Sequence, residues 1–456
     1  MSAPTLLWLR RDLRLGDHPA LTHAAARGPV IPVFIRDAEV DGLPAAPAMR
    51  LEMALKALSA RLERLGSRLI LRSGDPVEVL RRLMTETGAD LVVWSRRYDP
   101  KGKEGGAEVK AALPAESFPG ALLAEPWDVT TGAGGGYKVF TPFWRALSAR
   151  DIAPPLPAVT PPVPGGWPVS EALADWRLAD PMNRGREGVA RHVRAGEPDA
   201  LTRLGSFVRD HLSTYAGTRD QLGNASCSGL SAALAWGELS PRQAWWAASG
   251  RPGAAAFQRQ LAWRDFAWAL TWHSPHMLKE NWRAGWDAFP WNDDTARPEV
   301  QAWMQGRTGV PVIDAAMREL HVTGYMHNRA RMLVASYLTK HLMTHWRVGA
   351  EFFAGHLVDW DPANNAMGWQ WVAGCGPDAA PFFRIFNPET QAAKFDPDGS
   401  YRARWLAPDS GFFEVVPRRW QLTPDMPAPR PAISLKQGRE RALSAYQIMR
   451  NGPKLA

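Results

Sequence analysis

Pro-Thr-Leu-Leu-Trp-Leu at residues 4–9, Pro-Val-Ile-Pro-Val-Phe-Ile at 29–35, Arg-Leu-Ile-Leu-Arg at 68–72 and Asp-Leu-Val-Val-Trp-Ser at 90–95 are four short apolar runs. Runs of this length without polar alternation read as strands buried on both faces. Between the second and third, Met49, Met53, Leu55, Leu58, Leu62 and Leu65 recur at helical spacing, and residues 76–86 repeat the trend. Strand alternating with helix predicts a parallel α/β domain over residues 1–125. Such sheets receive ligands at the carboxyl ends of their strands. No Gly-x-Gly-x-x-Gly follows the first run, so the dinucleotide fingerprint is absent. Gly132 and Gly134 to Gly136 are not followed by Gly-Lys-Ser/Thr and read as a turn.

Outward from this domain the composition changes. Pro154, Pro155, Pro157, Pro161, Pro162, Pro164 and Pro168, with Gly165 and Gly166, mark a linker over the surface. Beyond it, stretches 201–212, 231–248, 254–273, 311–322, 326–343 and 349–357 all carry helical apolar spacing. The expected architecture is an N-terminal α/β domain on a parallel, Rossmann-like sheet (1–125), a long linker (126–195) and an all-helical C-terminal domain (196–456).

A chain of 456 residues, 45% hydrophobic and 22% charged, has the composition of a soluble globular protein with two domains. No apolar run reaches membrane-spanning length, so no membrane partner is expected. Arg10 and Arg11 precede no cleavable apolar segment, and the cytoplasm is the expected location. Cys227 and Cys375 are the only cysteines, too few for a four-cysteine metal or iron–sulfur site, and no metal is expected. The net charge of +8 favours polyanions. Tryptophan is unusually abundant at 22 residues. A helical core accounts for most of them, and a few at specific positions could stack on bases or carry electrons.

Three constellations carry chemistry. In Gly-Tyr-Met-His-Asn-Arg-Ala-Arg-Met at 324–332, Asn328 and Met332 share a helical face, and a buried Arg331 requires a carboxylate, for which Asp359 and Asp361 are candidates. Ser-Cys-Ser-Gly-Leu-Ser at 226–231 precedes a helix, where free N–H groups and hydroxyls suit either an N-cap or an anion. In Arg-Gln-Leu-Ala-Trp-Arg-Asp-Phe at 259–266, Trp263 follows Gln260 by three, setting an indole beside an amide.

These residues, with Trp-Leu-Arg-Arg-Asp-Leu-Arg-Leu at 8–15, Tyr-Lys-Val-Phe-Thr-Pro-Phe at 137–143, Leu-Ser-Pro-Arg-Gln at 239–243, the run at 308–318 and Phe-Arg-Ile-Phe-Asn-Pro at 383–388, resemble the photolyase/cryptochrome family, in order over nearly the whole chain. The resemblance implies FAD in the helical domain. It assigns cofactor contacts to Tyr215, Cys227, Ser228, Leu230, Ser231, Gln260, Arg264, Asn328, Arg331, Asp359 and Asp361, with Asn365 facing flavin N5. Trp369, Trp346 and Trp291 align with the family's electron-transfer chain. The family usually has Thr at Cys227 and Trp at Tyr325.

Asn328 and Met332 match the cyclobutane pyrimidine dimer photolyases of class I, whereas (6-4) enzymes of this lineage carry histidines there. The implied activity is light-driven repair of pyrimidine dimers in double- or single-stranded DNA by a monomer, with one electron passing from excited reduced FAD to a flipped-out dimer and back. Asn365, Gln260 and Asn328 take the catalytic positions, and Arg219, Trp263, Tyr325, Arg329, Met332 and Trp371 complete the DNA and lesion contacts. Gln260 stands where dimer enzymes usually have Glu and can supply neither a negative charge nor a proton, so weaker stabilisation of the dimer radical anion is expected. Tyr98-Asp99-Pro100 lacks the Asn-Glu pair of the folate-binding branch, which leaves folate, deazaflavin, another antenna chromophore or none. The alternatives are a cryptochrome-type blue-light photoreceptor, which Gln260 favours and the short C-terminal tail disfavours, and a (6-4) photolyase.

Overall fold

The computed structural model describes residues 2–224, 226–379 and 383–451. The chain sorts into two compact units, one comprising Met1–Pro181, Arg194–Ala216 and Cys227–Pro275, the other Met182–Val193, Gly217–Ser226 and His276–Ala456.

Unit one is built on five parallel strands, β1 (Thr5–Leu9), β2 (Val30–Arg36), β3 (Ile70–Ser73), β4 (Leu91–Ser95) and β5 (Ala115–Phe118), in the order β3-β2-β1-β4-β5. Alternate side chains feed two cores. Leu7, Leu9, Phe34, Leu71 and Val93 lie on one face, and Leu6, Trp8, Val33, Ile70, Val92 and Trp94 on the other. This double burial is why four strands read as continuous apolar runs. Strand β5, Ala-Glu-Ser-Phe, is a partly exposed edge without such a run, and no strand was expected there.

Helices α1 (Pro19–Arg27), α2 (Ala45–Arg64), α3 (Pro76–Thr87) and α4 (Pro100–Ala112) cross the sheet. Asp75 and Asp99 cap α3 and α4 through their carboxylates, each followed by a proline in the first turn. The linker covers the β3 edge: Glu171 N donates to Leu71 O at 3.0 Å and Leu71 N to Ser170 Oγ at 2.9 Å.

Helices α5 (Phe140–Ser148), α6 (Glu197–Asp210), α7 (Ser231–Ala235), α8 (Pro241–Ala248) and α9 (Ala254–His273) complete the unit. A single helix was expected over 231–248. It breaks at Gly237, whose φ of 66° is open to glycine, and where an added Cβ would strike the Arg11 backbone. Ser240 restarts the helix with a capping box to Gln243.

Unit two is helical around Trp303, Ile313, Leu320, Leu333, Trp346, Phe353, Trp369 and Phe412. Its elements include α10 (Pro311–Thr323), α11 (Asn328–Ser336), α12 (Trp346–His356) and α13 (Pro362–Ala373). The helix expected over 326–343 instead passes from α11 into a π turn at Tyr337–His341. That turn buries Lys340, whose ammonium donates to Val372 O and, at 2.8 Å, to Arg384 O, while burial pushes its pKa down to about 7. Among the described residues no helix is long and apolar enough to cross a membrane, and no group of three or more His, Cys, Asp or Glu side chains could hold a metal ion.

Candidate active site

In unit two, Gly324 ends α10 in the left-handed conformation, and four residues later α11 begins at Asn328. His327 caps it, with Nδ1 accepting from Arg329 N at 3.1 Å. Below the cap, the buried Glu319 accepts from the Tyr401 hydroxyl at 2.6 Å and from His327 N at 3.3 Å, and burial raises its pKa to about 7. The expected face of α11 is present: the exposed Asn328 side chain donates to Met332 Sδ at 3.9 Å. Arg329 donates to Asp220 Oδ2 at 2.8 Å, with its guanidinium 4.3 Å from the Phe395 ring. Arg219 lies 3.7 Å from the other oxygen of Asp220, so one carboxylate orients two arginines.

Arg331 reaches Asp359 rather than Asp361, donating to Oδ2 at 2.8 Å while its Nε donates to Met326 O at 2.7 Å. Burial opposes the charge, but Asp359 outweighs it and holds the guanidinium pKa above its ordinary value. Tyr325 lies beside it, 5.1 Å from the Arg331 guanidinium. The second oxygen of Asp359 is buried without a hydrogen-bond partner among the described residues.

Asp361 has a different task. It is the N-cap of α13, its Oδ1 accepting from Asn364 N at 2.9 Å, ahead of Pro362. One turn on, Asn365 donates from Nδ2 to Ala350 O at 3.0 Å, which fixes the amide plane against α12. Trp369 follows four later on the same face, packed edge-on against Phe353 and Trp303. Its buried Nε1 has no partner among the described residues. Trp371 donates to Asp378 O at 3.0 Å.

Trp346 is fully buried at the start of α12, its Nε1 donating to Asn281 Oδ1 at 2.7 Å. Trp291 is half-buried and donates to Thr339 O at 2.9 Å. The His345 ring touches both indoles, with centroids 5.1 Å from Trp291 and 5.7 Å from Trp346. Trp286 stacks on Trp291 at 5.6 Å. Sequence reasoning missed Asn281, His345, Trp286 and Asp220. Only the abundance of aromatics hinted at any of them.

In unit one, Tyr215 is buried against Phe207 and Phe257. Leu230 is buried, Cys227 and Ser228 are partly exposed, and Ser231 opens the five-residue α7 without a side-chain cap. Arg203 presses against Gly229 in this turn and was not anticipated. On α9, Gln260 donates to its own helix at Ala256 O (3.4 Å), and Trp263 stacks on Phe140. Arg264 donates to Ala121 O at 2.7 Å, and its buried Nε has no partner among the described residues. Asp265 accepts from Leu123 N at 2.6 Å, and burial raises its pKa to about 7.

Residues 257–448 match the family model described as the FAD binding domain of DNA photolyase, and residues 5–162 match the DNA photolyase model. A deoxyribodipyrimidine photo-lyase of Agrobacterium fabrum is 42% identical over 98% of this chain and 98% of its own. A crystal structure of a bacterial class III photolyase from Agrobacterium tumefaciens superposes with a TM-score of 0.91 at 41% identity, covering 99% of this chain and 98% of that one. An archaeal photolyase from Sulfolobus tokodaii, solved with two FAD molecules, gives a TM-score of 0.79 at 28% identity over 97% of this chain and 99% of its own.

Proposed function

Because this chain belongs to the photolyase/cryptochrome family, we propose that it is a deoxyribodipyrimidine photo-lyase: a FAD enzyme that uses light to split cyclobutane pyrimidine dimers in DNA. The observation that carries this is the 42% identity to such an enzyme along 98% of both chains. The structural match is to a class III enzyme, so the class I likeness rests on the identities of Asn328 and Met332 alone.

The residues present suit a flavin. In unit two, Asp359 Oδ1 and Trp369 Nε1 are buried polar atoms lacking partners among the described residues, and a ligand rich in donors and acceptors answers that need. The family resemblance assigns cofactor contacts within unit two to Arg331, Asp359, Asp361, Asn328 and Asn365. Within unit one it assigns Tyr215, Cys227, Ser228, Leu230 and Ser231 to the diphosphate and ribityl chain, and Gln260 and Arg264 to the cofactor. When bound, the reduced flavin excited by light supplies one electron to the dimer and takes it back.

The protein's own part is orientation. Asn365 spends its Nδ2 donor on Ala350 O, which leaves its amide oxygen to accept a hydrogen bond from a protonated nitrogen. The Arg331–Asp359 pair sets a fixed dipole at the start of α13. Trp369, Trp346 and Trp291 are oxidisable indoles, the last partly in solvent, where a radical cation is best stabilised. The family resemblance assigns lesion contacts to Gln260 and Trp263 within unit one, and to Tyr325, Asn328, Arg329, Met332 and Trp371 within unit two. Arg219 would meet a phosphate. We assign the protein to the cytoplasm as a monomer acting on single- or double-stranded DNA, and leave the antenna position open to folate, deazaflavin, another chromophore or none.

A bacterium lacking light-dependent repair tests this in cells. Expression of the chain should restore survival after ultraviolet exposure only when visible light follows. Equal survival in light and dark would remove the repair function and leave a signalling flavoprotein.

A further inference from the structure

The mechanism above makes no use of Tyr-Lys-Val-Phe-Thr-Pro-Phe at 137–143. In the structure this motif opens α5 and buries Phe140 and Phe143 against α9. Phe140 and Trp263 stand with ring centroids 3.7 Å apart and planes inclined by 8°, the shortest and most nearly parallel ring contact among the described residues. Aromatic pairs left to themselves prefer offset or edge-on arrangements. This face-to-face pair is held by its surroundings: Phe266 abuts both rings edge-on, 5.8 Å from each, and Phe143 backs Phe266 at 5.2 Å. Arg259 sits beside the pair, its guanidinium 5.5 Å from the Phe140 ring and 5.7 Å from Trp144.

Phe140 is 2% exposed, whereas Trp263 keeps part of its surface in solvent. One face of the indole is therefore closed by a buried ring, and its exposure belongs to the other face and the rim. Gln260, one helical turn earlier on α9, carries an amide whose hydrogen-bond partner among the described residues is its own helix, at Ala256 O. The surface so formed is a flat ring of fixed plane beside an amide, which suits stacking by a pyrimidine with recognition of its edge.

We propose that Phe140 is a positioning residue for lesion binding: by closing the inner face of Trp263 it fixes the indole plane and directs the damaged pyrimidines onto the outer face. This rests on the photo-lyase reading, from which the experiment separates it. Titrate the flavin-loaded protein with an oligonucleotide containing one thymine dimer and with its undamaged twin, comparing wild type, Phe140→Leu, Phe140→Met and Phe140→Tyr.

Leucine and methionine fill most of the volume and lose the ring. Both should weaken dimer binding roughly three- to tenfold, the range expected for loss of one aromatic pair. Affinity for undamaged DNA and the flavin spectrum should stay as in wild type, and Phe140→Tyr should restore discrimination. Wild-type discrimination in the Leu and Met variants overturns the proposal. So does an equal loss for both oligonucleotides, or loss of flavin, since either assigns Phe140 to general packing. A wild-type protein without preference for the dimer would instead sink the repair activity itself.

Discussion

The indole of Trp369 occupies the space that a Cβ at Gly349 would need, colliding with it at three ring atoms. Gly349 is one turn after Trp346 on α12, so the missing side chain lets the first indole of the candidate electron path settle on the helix that carries the second. A glycine in a helix interior costs about 1 kcal/mol relative to alanine, so alanine would ordinarily stabilise this position. Here Gly349→Ala should instead destabilise by roughly 1–3 kcal/mol through overpacking. Chemical denaturation checks the sign, and photoreduction of the bound flavin should slow in the same variant.

Trp346→Phe should abolish most flavin photoreduction by an external reductant under blue light, because phenylalanine is far harder to oxidise. Trp291→Phe should do so less completely, since Trp286 stacks on the same site. Repair by chemically reduced enzyme should survive both changes. Unaltered photoreduction in Trp346→Phe would remove this indole from the path.

What could be read from the sequence follows burial. The first four strands were legible because side chains on both faces are buried, and α9 was legible end to end because it is rich in apolar residues and contains neither glycine nor proline. Strand β5 was not, since a half-exposed Ala-Glu-Ser-Phe has no pattern to show. Periodicity ran through Gly237 and through Tyr337–His341 without registering that one breaks the helix and the other widens it. For Arg331 the need for a carboxylate was legible, and the structure chooses Asp359. Asp220, Asn281 and His345 were invisible because their partners lie up to 109 positions away or depend on ring contacts that spacing does not encode.

Asp359→Asn removes one side of an ion pair whose carboxylate is buried. Breaking a fully buried pair costs roughly 3–5 kcal/mol, and because Arg331 is 25% exposed we expect about 2 kcal/mol here. Flavin retention through gel filtration should fall with it. Adding Arg331→Met should recover part of the stability and none of the flavin. Full flavin occupancy in Asp359→Asn would exclude this carboxylate from the cofactor site.

Asp265 gives a pH signature. Burial is the largest influence on it and raises its pKa from 3.8 to about 7, with Arg264 and the Leu123 and Ala124 amides pulling the other way. A carboxyl whose folded pKa lies above its unfolded one stabilises below the unfolded value and loses that contribution as pH rises through the folded one. Wild type should therefore lose stability relative to Asp265→Asn between about pH 4 and 7. Urea midpoints of the two proteins across that window measure the difference, and a constant gap would contradict the assignment.

The most direct measurement is illumination of the purified, reduced, flavin-loaded protein with an oligonucleotide carrying one thymine dimer, followed by quantification of restored thymines. The account expects thymines to reappear in proportion to absorbed light, with none in the dark and none after Asn365→Ala and Asp359→Asn together have emptied the site. Flavin-loaded wild-type protein that absorbs light and restores no thymine would contradict it.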